Sequence, residues 1–443
     1  MSPSEANPTT GAAPQRRDLL RSTAALVGMA ALGACTSAQA DKRVARAIPK
    51  ARRRAPVEAG APLRLGLIGP GGMGSGHVGG LLDARAKGRE KLDLVAVADV
   101  CKPRVEGAAQ TCRDAQPGVE VAAYRDWREL IARDDLHGVL IATPEHWHVP
   151  MAVAAIEAGL DVYVEKPLCI RHEDALHLAD VVAANDRILQ VGTQYMMYPK
   201  YGHARALIAA GEIGHPTLSQ TSYCRNSKEG EWLYGIDESI QPGELLDWEE
   251  WCGPEGVAPW DPNVFFRWRR FRKWSTGIVG DLLPHQMTPL LYALDVGWPV
   301  RVGAIGGHYA DKAMENHDHV VLTIEFEKQH TMLVVGSTCN ESGLEQMIRG
   351  HRANLLLGGN NCVLKPERVY SEEVDEQNIT CAGMDPQDSL RLDWMSSMRT
   401  RAANRSPVGL AAQAMVIIDL ATRSLWDGRT WTFDPQTRSA RPA

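Results

Sequence analysis

From Leu63 onward, short apolar runs alternate with stretches in which apolar residues return every three or four positions. The runs are 63–68 (LRLGLI), 92–98 (LDLVAVA), 138–142, 161–164 and 188–192; between them lie 106–115, 127–133, 149–158 and 173–185. Continuous apolar runs of this length suit strands buried on both faces, and the 3.6-residue period suits helices packed against them. Their alternation predicts a doubly wound parallel sheet that closes near residue 195. Beyond it, residues 320–326 shade from apolar into apolar–polar alternation and 332–336 follow after a short loop, the pattern of antiparallel sheet with one covered face. Residues 388–401 and 409–426 return to helical spacing, with Leu390, Trp394 and Met398 on one stripe. The expected fold is α/β: an N-terminal Rossmann domain over 62–195, and over 196–443 a C-terminal α+β domain with a large, mostly antiparallel open sheet.

The first 61 residues have a different character. Residues 15–21 read QRRDLLR, and the apolar run 22–34 follows the paired Arg16 and Arg17. That run falls short of the roughly 20 residues needed to cross a bilayer, as does every other run, and it suits the core of a signal peptide. Residues 1–40 therefore predict a twin-arginine signal, export of the folded protein and a periplasmic location. Leu32-Gly33-Ala34-Cys35 resembles a lipobox, which would anchor a lipoprotein through Cys35, whereas Ala38-Gln39-Ala40 offers ordinary cleavage. Residues 41–61 form a basic linker. Residues 1–54 carry +7 of a net −6, leaving −13 on residues 55–443, and this acidic body argues against nucleic acid as a partner.

The strand LRLGLI runs into Gly69-Pro70-Gly71-Gly72-Met73-Gly74, and Asp99 closes the next strand 25 residues after Gly74. Glycines let the backbone turn and approach a pyrophosphate seated on a helix N-terminus. A carboxylate at Asp99 takes a ribose 2′-OH and repels a 2′-phosphate, so the expected cofactor is NAD rather than NADP. Glu165-Lys166-Pro167 ends the strand DVYV at the carboxyl edge of the sheet, where open α/β folds bind ligands. A lysine held extended by the following proline can bind the nicotinamide ribose and polarise a substrate hydroxyl or ketone. Pro284 suits a first helical turn, so a helix is expected to begin near Gly280 or Asp281 and to carry Asp281 and His285 on one face. Taking hydride from an alcohol carbon needs a base for the hydroxyl proton, and histidine titrates in the useful range.

Two other patterns change the picture less. Six of twelve tryptophans fall between Trp232 and Trp274, where the rings serve either as sugar platforms or as domain core. His146/His148 and His317/His319 lack a third ligand at metal-site spacing, so no metal site is expected.

Together IGPGGMG, Asp99, Thr143-Pro144 with His148, Glu165-Lys166-Pro167 and Gly277-x-x-x-Asp281-x-x-x-His285 resemble the glucose–fructose oxidoreductase/inositol dehydrogenase (Gfo/Idh/MocA) family, over about residues 62–430. The segment LDWEEWCGP…NVFFRWRRFRKWSTG is similar to its exported branch. The resemblance implies that Gly69, Gly71, Gly72, Met73, Gly74, Asp99, Thr143, Pro144, His148, Glu165, Lys166, Trp268 and Arg269 hold the cofactor. It makes Lys166, Asp281 and His285 the catalytic trio, and implies homo-oligomers, dimers or tetramers, through the open sheet. Leu283 and Thr288 depart from the family pattern, and Gln194-Tyr195-Met196-Met197 replaces the usual Arg-containing stretch, so no substrate is carried over. The expected activity is oxidation of a sugar or polyol hydroxyl by tightly bound NAD in a redox-neutral cycle, because free NAD is scarce outside the cytoplasm. The same logic admits an NAD-dependent glycosidase working by oxidation, elimination, hydration and reduction, with Tyr195, Tyr198, Tyr201, Tyr223 and Tyr309 open as its acid/base. A non-catalytic dinucleotide-binding surface lipoprotein is the alternative from another class, and the retained trio weighs against it.

Overall fold

The structure, a computed structural model, describes residues 57–58 and 60–443. The twin-arginine segment, Cys35 and nearly all of the basic linker lie outside the described residues. The chain proceeds through β1 (Leu63–Ile68), α1 (Gly72–Ala86), β2 (Leu92–Ala98), α2 (Lys102–Ala115), β3 (Ala122–Tyr124) and α3 (Trp127–Ile131). It continues through β4 (Gly138–Ile141), α4 (Glu145–Glu157), β5 (Asp161–Val164), α5 (His172–Asn185) and β6 (Leu189–Val191). These six strands are parallel in the order β3-β2-β1-β4-β5-β6. Every residue of β4 and β5 is buried, as helices on both faces require. The order reverses between β1 and β4, and the crevice beyond their carboxyl ends is where such a sheet takes its ligand.

The second sheet follows α6 (Pro199–Ala209), β7 (Pro216–Cys224), three short helices, α7 (Trp248–Cys252), α8 (Pro262–Arg267) and α9 (Ile278–Asp281), and then α10 (Pro284–Leu294). Its remaining strands are β8 (Pro299–Gly307), β9 (His319–Phe326), β10 (His330–Ser337), β11 (Met347–Gly350), β12 (Ala353–Leu356), β13 (Asn361–Pro366) and β14 (Gln377–Thr380), joined after α11 (Pro386–Thr400) and α12 (Val408–Asp427) by β15 (Trp431–Asp434) and β16 (Ser439–Pro442). The ten strands run β14-β13-β12-β11-β7-β10-β9-β8-β15-β16. All pairs are antiparallel except β7 with β10. The expected fold class is therefore observed.

Two helices close the architecture. α11 returns to the first sheet, where Leu390, Trp394 and Met398 pack with Leu63, Leu65, Leu140 and Tyr163. The fit is tight: a Cβ on Gly138 would lie 2.8 Å from the Met398 Cε. α12 corrects one expectation. Its 20 residues are long and apolar enough to cross a membrane by length and composition, yet 67% of its most apolar window is buried. It packs against β8 and α5, so its hydrophobicity is that of a core helix.

Candidate active site

The turn after β1 contains two kinds of glycine. Gly69 has φ +85°, and a Cβ on Gly74 would lie 2.0 Å from the Gly69 carbonyl oxygen, so both are needed for α1 to enter against the strand. Gly71 and Gly72 are not crowded: a Cβ would meet only Arg104 Nη1 at 3.7 Å in one case and nothing within 4 Å in the other. The space they leave opens on a cavity, and α1 begins at Gly72, with Gly71 as an N-cap that supplies no side-chain bond. Unclaimed first-turn N–H groups above a gap fit a pyrophosphate.

The cavity has a volume of about 570 Å³ and takes in every cofactor-side residue named from the sequence except Gly74. Asp99 follows β2 at one end, its Oδ1 accepting the Cys101 N–H at 2.8 Å. Burial pushes its carboxyl up, opposed by Arg104. Arg104 and Arg125, which the sequence reading missed, line the same end, and the Arg104 guanidinium lies 4.5 Å over the Phe265 ring. At the other end Thr143, Pro144 and His148 line the wall, the His148 ring nitrogens lying 2.7 Å from the Thr143 and Pro167 carbonyl oxygens. Glu165 accepts from His77 Nε2 at 2.8 Å; burial would raise its carboxyl, but His77 and then Lys166 hold it down.

Lys166 and Asp281 meet on the cavity wall. The Lys166 ammonium donates to the Asp281 carbonyl oxygen at 2.8 Å and to its Oδ1 at 3.1 Å. Arg269 Nε donates to the same Oδ1 at 2.8 Å while its guanidinium lies 4.2 Å over the Trp268 ring. Burial alone would raise the Asp281 carboxyl, but the charges of Lys166 and Arg269 hold it far below the usual carboxylate range. His285 sits off the cavity wall, its ring 5.3 Å from Tyr195 and 5.8 Å from Tyr223, and its Nδ1 is buried with no hydrogen-bond partner among the described residues. Burial and the Lys166 charge push the imidazole down to about 3, so it is neutral.

One local expectation fails. Asp281 ends α9 and His285 lies in α10, so the pair does not share one regular helix. Pro284 has no N–H to return to Gly280, so Leu283 N–H reaches back to the Ile278 oxygen and His285 N–H closes on Leu282. The irregular Gln194–Met197 stretch forms a short 3₁₀ turn that brings Tyr195 to His285. Among the other tyrosines, Tyr201 is buried with its hydroxyl on Gln346, and Tyr309 is exposed.

The opposite wall comes from residues 225–276, including Arg225, Trp232, Tyr234, Glu250, Trp251, Phe265 and Phe266. Trp248, Trp251, Trp274 and Phe265 form a core with Cys101, and Trp232, Trp251 and Trp268 reach the cavity. This segment is pinned to the first domain. Glu250 Oε1 accepts from Trp127 Nε1 at 3.0 Å and Arg128 at 2.8 Å, its carbonyl oxygen accepts from Trp147 Nε1 at 3.0 Å, and His146 Nε2 lies 2.8 Å from the Trp251 carbonyl oxygen. His146 and His148 thus serve different partners, and His319 stacks on Tyr309. Among the described residues His172, Glu173 and Asp419 have ligand-type atoms close enough for a metal, but Arg423 pairs with both carboxylates, at 3.0 and 2.7 Å.

Comparison with known proteins matches residues 63–193 to the Gfo/Idh/MocA profile described as "Oxidoreductase family, NAD-binding Rossmann fold", and residues 256–433 to that described as "Oxidoreductase family, C-terminal alpha/beta domain". An inositol 2-dehydrogenase of Pseudomonas syringae pv. syringae is 34% identical over 179 residues, 40% of this chain and 50% of that protein. Inositol 2-dehydrogenase 1 of Saccharopolyspora erythraea is 35% identical over 157 residues, 35% of this chain and 44% of that protein. The match thus spans about half the length of these relatives or less. Among solved structures, a levoglucosan dehydrogenase in complex with NADH covers 83% of this chain and 98% of its own at 19% identity and TM-score 0.63. The WlbA dehydrogenase of Bordetella pertussis, in complex with NADH and UDP-GlcNAcA, covers 83% of this chain and 98% of its own at 18% identity and TM-score 0.60. At those identities the likeness is one of fold.

Proposed function

The chain belongs to the Gfo/Idh/MocA oxidoreductase family, and from that premise we propose that it is an NAD-dependent oxidoreductase acting on a sugar or polyol hydroxyl. The observation that carries this reading is the Lys166–Asp281 pair, set on the wall of the same cavity that the glycine turn opens into. When bound, NAD supplies the acceptor for the electron pair leaving the carbinol carbon and the donor for its return. Lys166, aimed by Asp281, donates to the substrate oxygen and stabilises negative charge there. Asp281 remains ionised and keeps the ammonium in place. For the hydroxyl proton the family resemblance assigns His285, a neutral imidazole set off the cavity wall and within the field of the Lys166 charge.

A finer reading is favoured by the covering segment: the cofactor stays bound and the cycle is redox-neutral. Residues 225–276 wall the cavity opposite the glycine turn, and the contacts of Glu250 and Trp251 with the first domain hold that wall in place, which supports a retained dinucleotide. Paired oxidation and reduction of two sugars, or glycoside cleavage through transient oxidation, would both run on such a cofactor. For cleavage, Tyr195 and Tyr223, the two phenols beside His285, become the candidates for the additional acid/base. The paired Arg16 and Arg17 support export of the folded, loaded protein, Cys35 supports a lipid anchor, and the ten-stranded sheet supports a dimer or tetramer.

Protein purified without nucleotide, desalted and denatured should release near-stoichiometric NAD(H). An empty protein that rebinds NAD weakly would end the resident-cofactor reading. A panel of polyols, free sugars and glycosides, with myo-inositol as first probe, tests the reaction, and no turnover on any of them would refute the assignment. Asp99→Ser tests the cofactor: it removes the carboxylate that repels a 2′-phosphate and leaves Arg104 and Arg125 beside it. Reloading the emptied protein in competition should then show the NADP-to-NAD affinity ratio rising by at least roughly tenfold. An unchanged ratio would remove Asp99 from the ribose site.

A further inference from the structure

Glu145 is a buried carboxylate that the reaction described above does not use. It opens α4, directly after Thr143 and Pro144 on the cavity wall, and belongs to the first domain. Its partners lie in the second. Oε1 accepts the Ser275 hydroxyl at 2.5 Å, and Oε2 accepts the Thr276 N–H at 3.1 Å and the Thr276 hydroxyl at 2.9 Å. Ser275 Oγ in turn accepts the Gly277 N–H at 3.0 Å, and the Gly277 carbonyl accepts the Asp281 N–H at 2.8 Å. The chain from carboxylate to catalytic loop is therefore continuous.

Asn316 holds the same loop from behind. Its Nδ2 donates to the Arg269 carbonyl oxygen at 2.9 Å and to the Ser275 carbonyl oxygen at 3.1 Å. Gly277, at φ +60°, has no room for a side chain there, since a Cβ would lie 2.6 Å from the Asn316 Cβ. The loop is gripped from both domains, and the cofactor domain holds it at two places, through the Glu145 carboxyl at Ser275 and Thr276 and through the Lys166 ammonium at Asp281.

We propose that Glu145 is a positioning residue that sets Asp281, and through it Lys166, relative to the nicotinamide side of the cavity. Thr143 and Pro144 belong to the segment that fixes one reactant, and the next residue fixes the loop that serves the other. Misplacement of a reacting group by about 1 Å can slow a reaction by roughly a hundredfold, so a direct covalent neighbour is an effective place for such a tie. The tie is made by hydrogen bonds: burial, followed by the charge of Asp281, pushes the carboxyl up to about 7 against the pull of its Ser275 and Thr276 hydrogen bonds. An amide of the same length can still accept from Thr276 while its NH₂ donates to Ser275 Oγ.

The proposal rests on the oxidoreductase reading for its rate readout but not for its structural one. The test uses the full chain with its cofactor, comparing Glu145→Ala, Glu145→Gln and Ser275→Ala. Glu145→Ala should lower kcat by roughly ten- to a hundredfold on the best substrate of the panel with KM little changed, and Glu145→Gln should recover to within about threefold of wild type. Amide exchange should quicken across residues 276–281 and stay slow in β9 and β10. Ser275→Ala, which cuts the link to Gly277 while sparing Glu145, should reproduce the loss if Glu145→Ala fails to fold. A Gln variant as slow as the Ala variant would overturn the proposal in favour of a charge role, as would unchanged rates, or loosening that spreads through the second sheet. If the wild-type protein turns over no panel member, the functional assignment falls, and the exchange pattern alone still decides whether Glu145 holds the loop.

Discussion

Replacing Lys166 with methionine should lower kcat by roughly 10³-fold while the protein remains folded and loaded. Methionine keeps an unbranched apolar stem of similar reach and removes the ammonium. Asp281 would not be stranded, because Arg269 Nε still donates to its Oδ1 at 2.8 Å, so the large penalty of an unpaired buried carboxylate is avoided. What disappears is the ammonium proposed to stabilise charge on the substrate oxygen. The pH profile carries a second signature. In the wild type, burial and then the Lys166 charge hold His285 at about 3, so the imidazole is neutral and no acid limb from it is expected near pH 6. Removing Lys166 takes away the larger of the two cationic charges that push it down, leaving burial and Arg225 against the upward pull of Asp281 and Glu165. The His285 value then rises, a protonated imidazole cannot accept the hydroxyl proton, and residual activity should fall as pH drops through the new value. A Lys166→Met enzyme with an undiminished kcat, or with a flat acid side, would sink the assignment of these two residues.

How far the sequence carried the reading depends on how each element stores its signal. β1, β2, β4 and β5 are continuous apolar runs between helices, so period and length identify them. β3 has three residues, none of them buried, and no run that short can announce itself. The same holds for β11, β12 and β14, which have four residues each; β11 is set in addition by pairing with β7, far back in the chain. Glycine positions were legible because turn chemistry is local. The grouping of Lys166 with Asp281, 115 residues apart, was not, and it came from resemblance to a family. The covering segment was legible only through its tryptophan count and its similarity to the exported branch of the family, which put Trp268 and Arg269 at the cofactor. Its real content is tertiary: the contacts of Glu250 with Trp127 and Arg128 span 123 and 122 residues. Glu145 shows the limit most clearly, since a carboxylate in a first helical turn reads as an ordinary helix-dipole partner until the loop it grips is seen.

Glu250→Ala should turn the cofactor from a resident into a visitor. In the wild type one carboxylate oxygen of Glu250 joins Trp127 and Arg128, and the neighbouring carbonyls of Glu250 and Trp251 hold Trp147 and His146. Removing the carboxylate leaves Arg128 with Asp126 at 2.9 Å, so the first domain keeps its own ion pair, but the covering segment loses one of its side-chain anchors. Hydrogen bonds to charged groups are worth about 1.5–3 kcal/mol, which corresponds to roughly ten- to a hundredfold faster loss of NAD. The exposed Lys102–Glu244 pair of the same segment is the natural contrast: Glu244 is 83% exposed, and Glu244→Ala should barely change release. Retention is read by desalting for increasing times before denaturation. Turnover gives an independent view. With NAD added, Glu250→Ala should accumulate NADH in solution during polyol oxidation, whereas the wild type should recycle its cofactor in place. Equal retention in the two proteins would mean that the glycine turn alone holds the dinucleotide, and the covering segment would then have to be explained by the substrate it helps enclose.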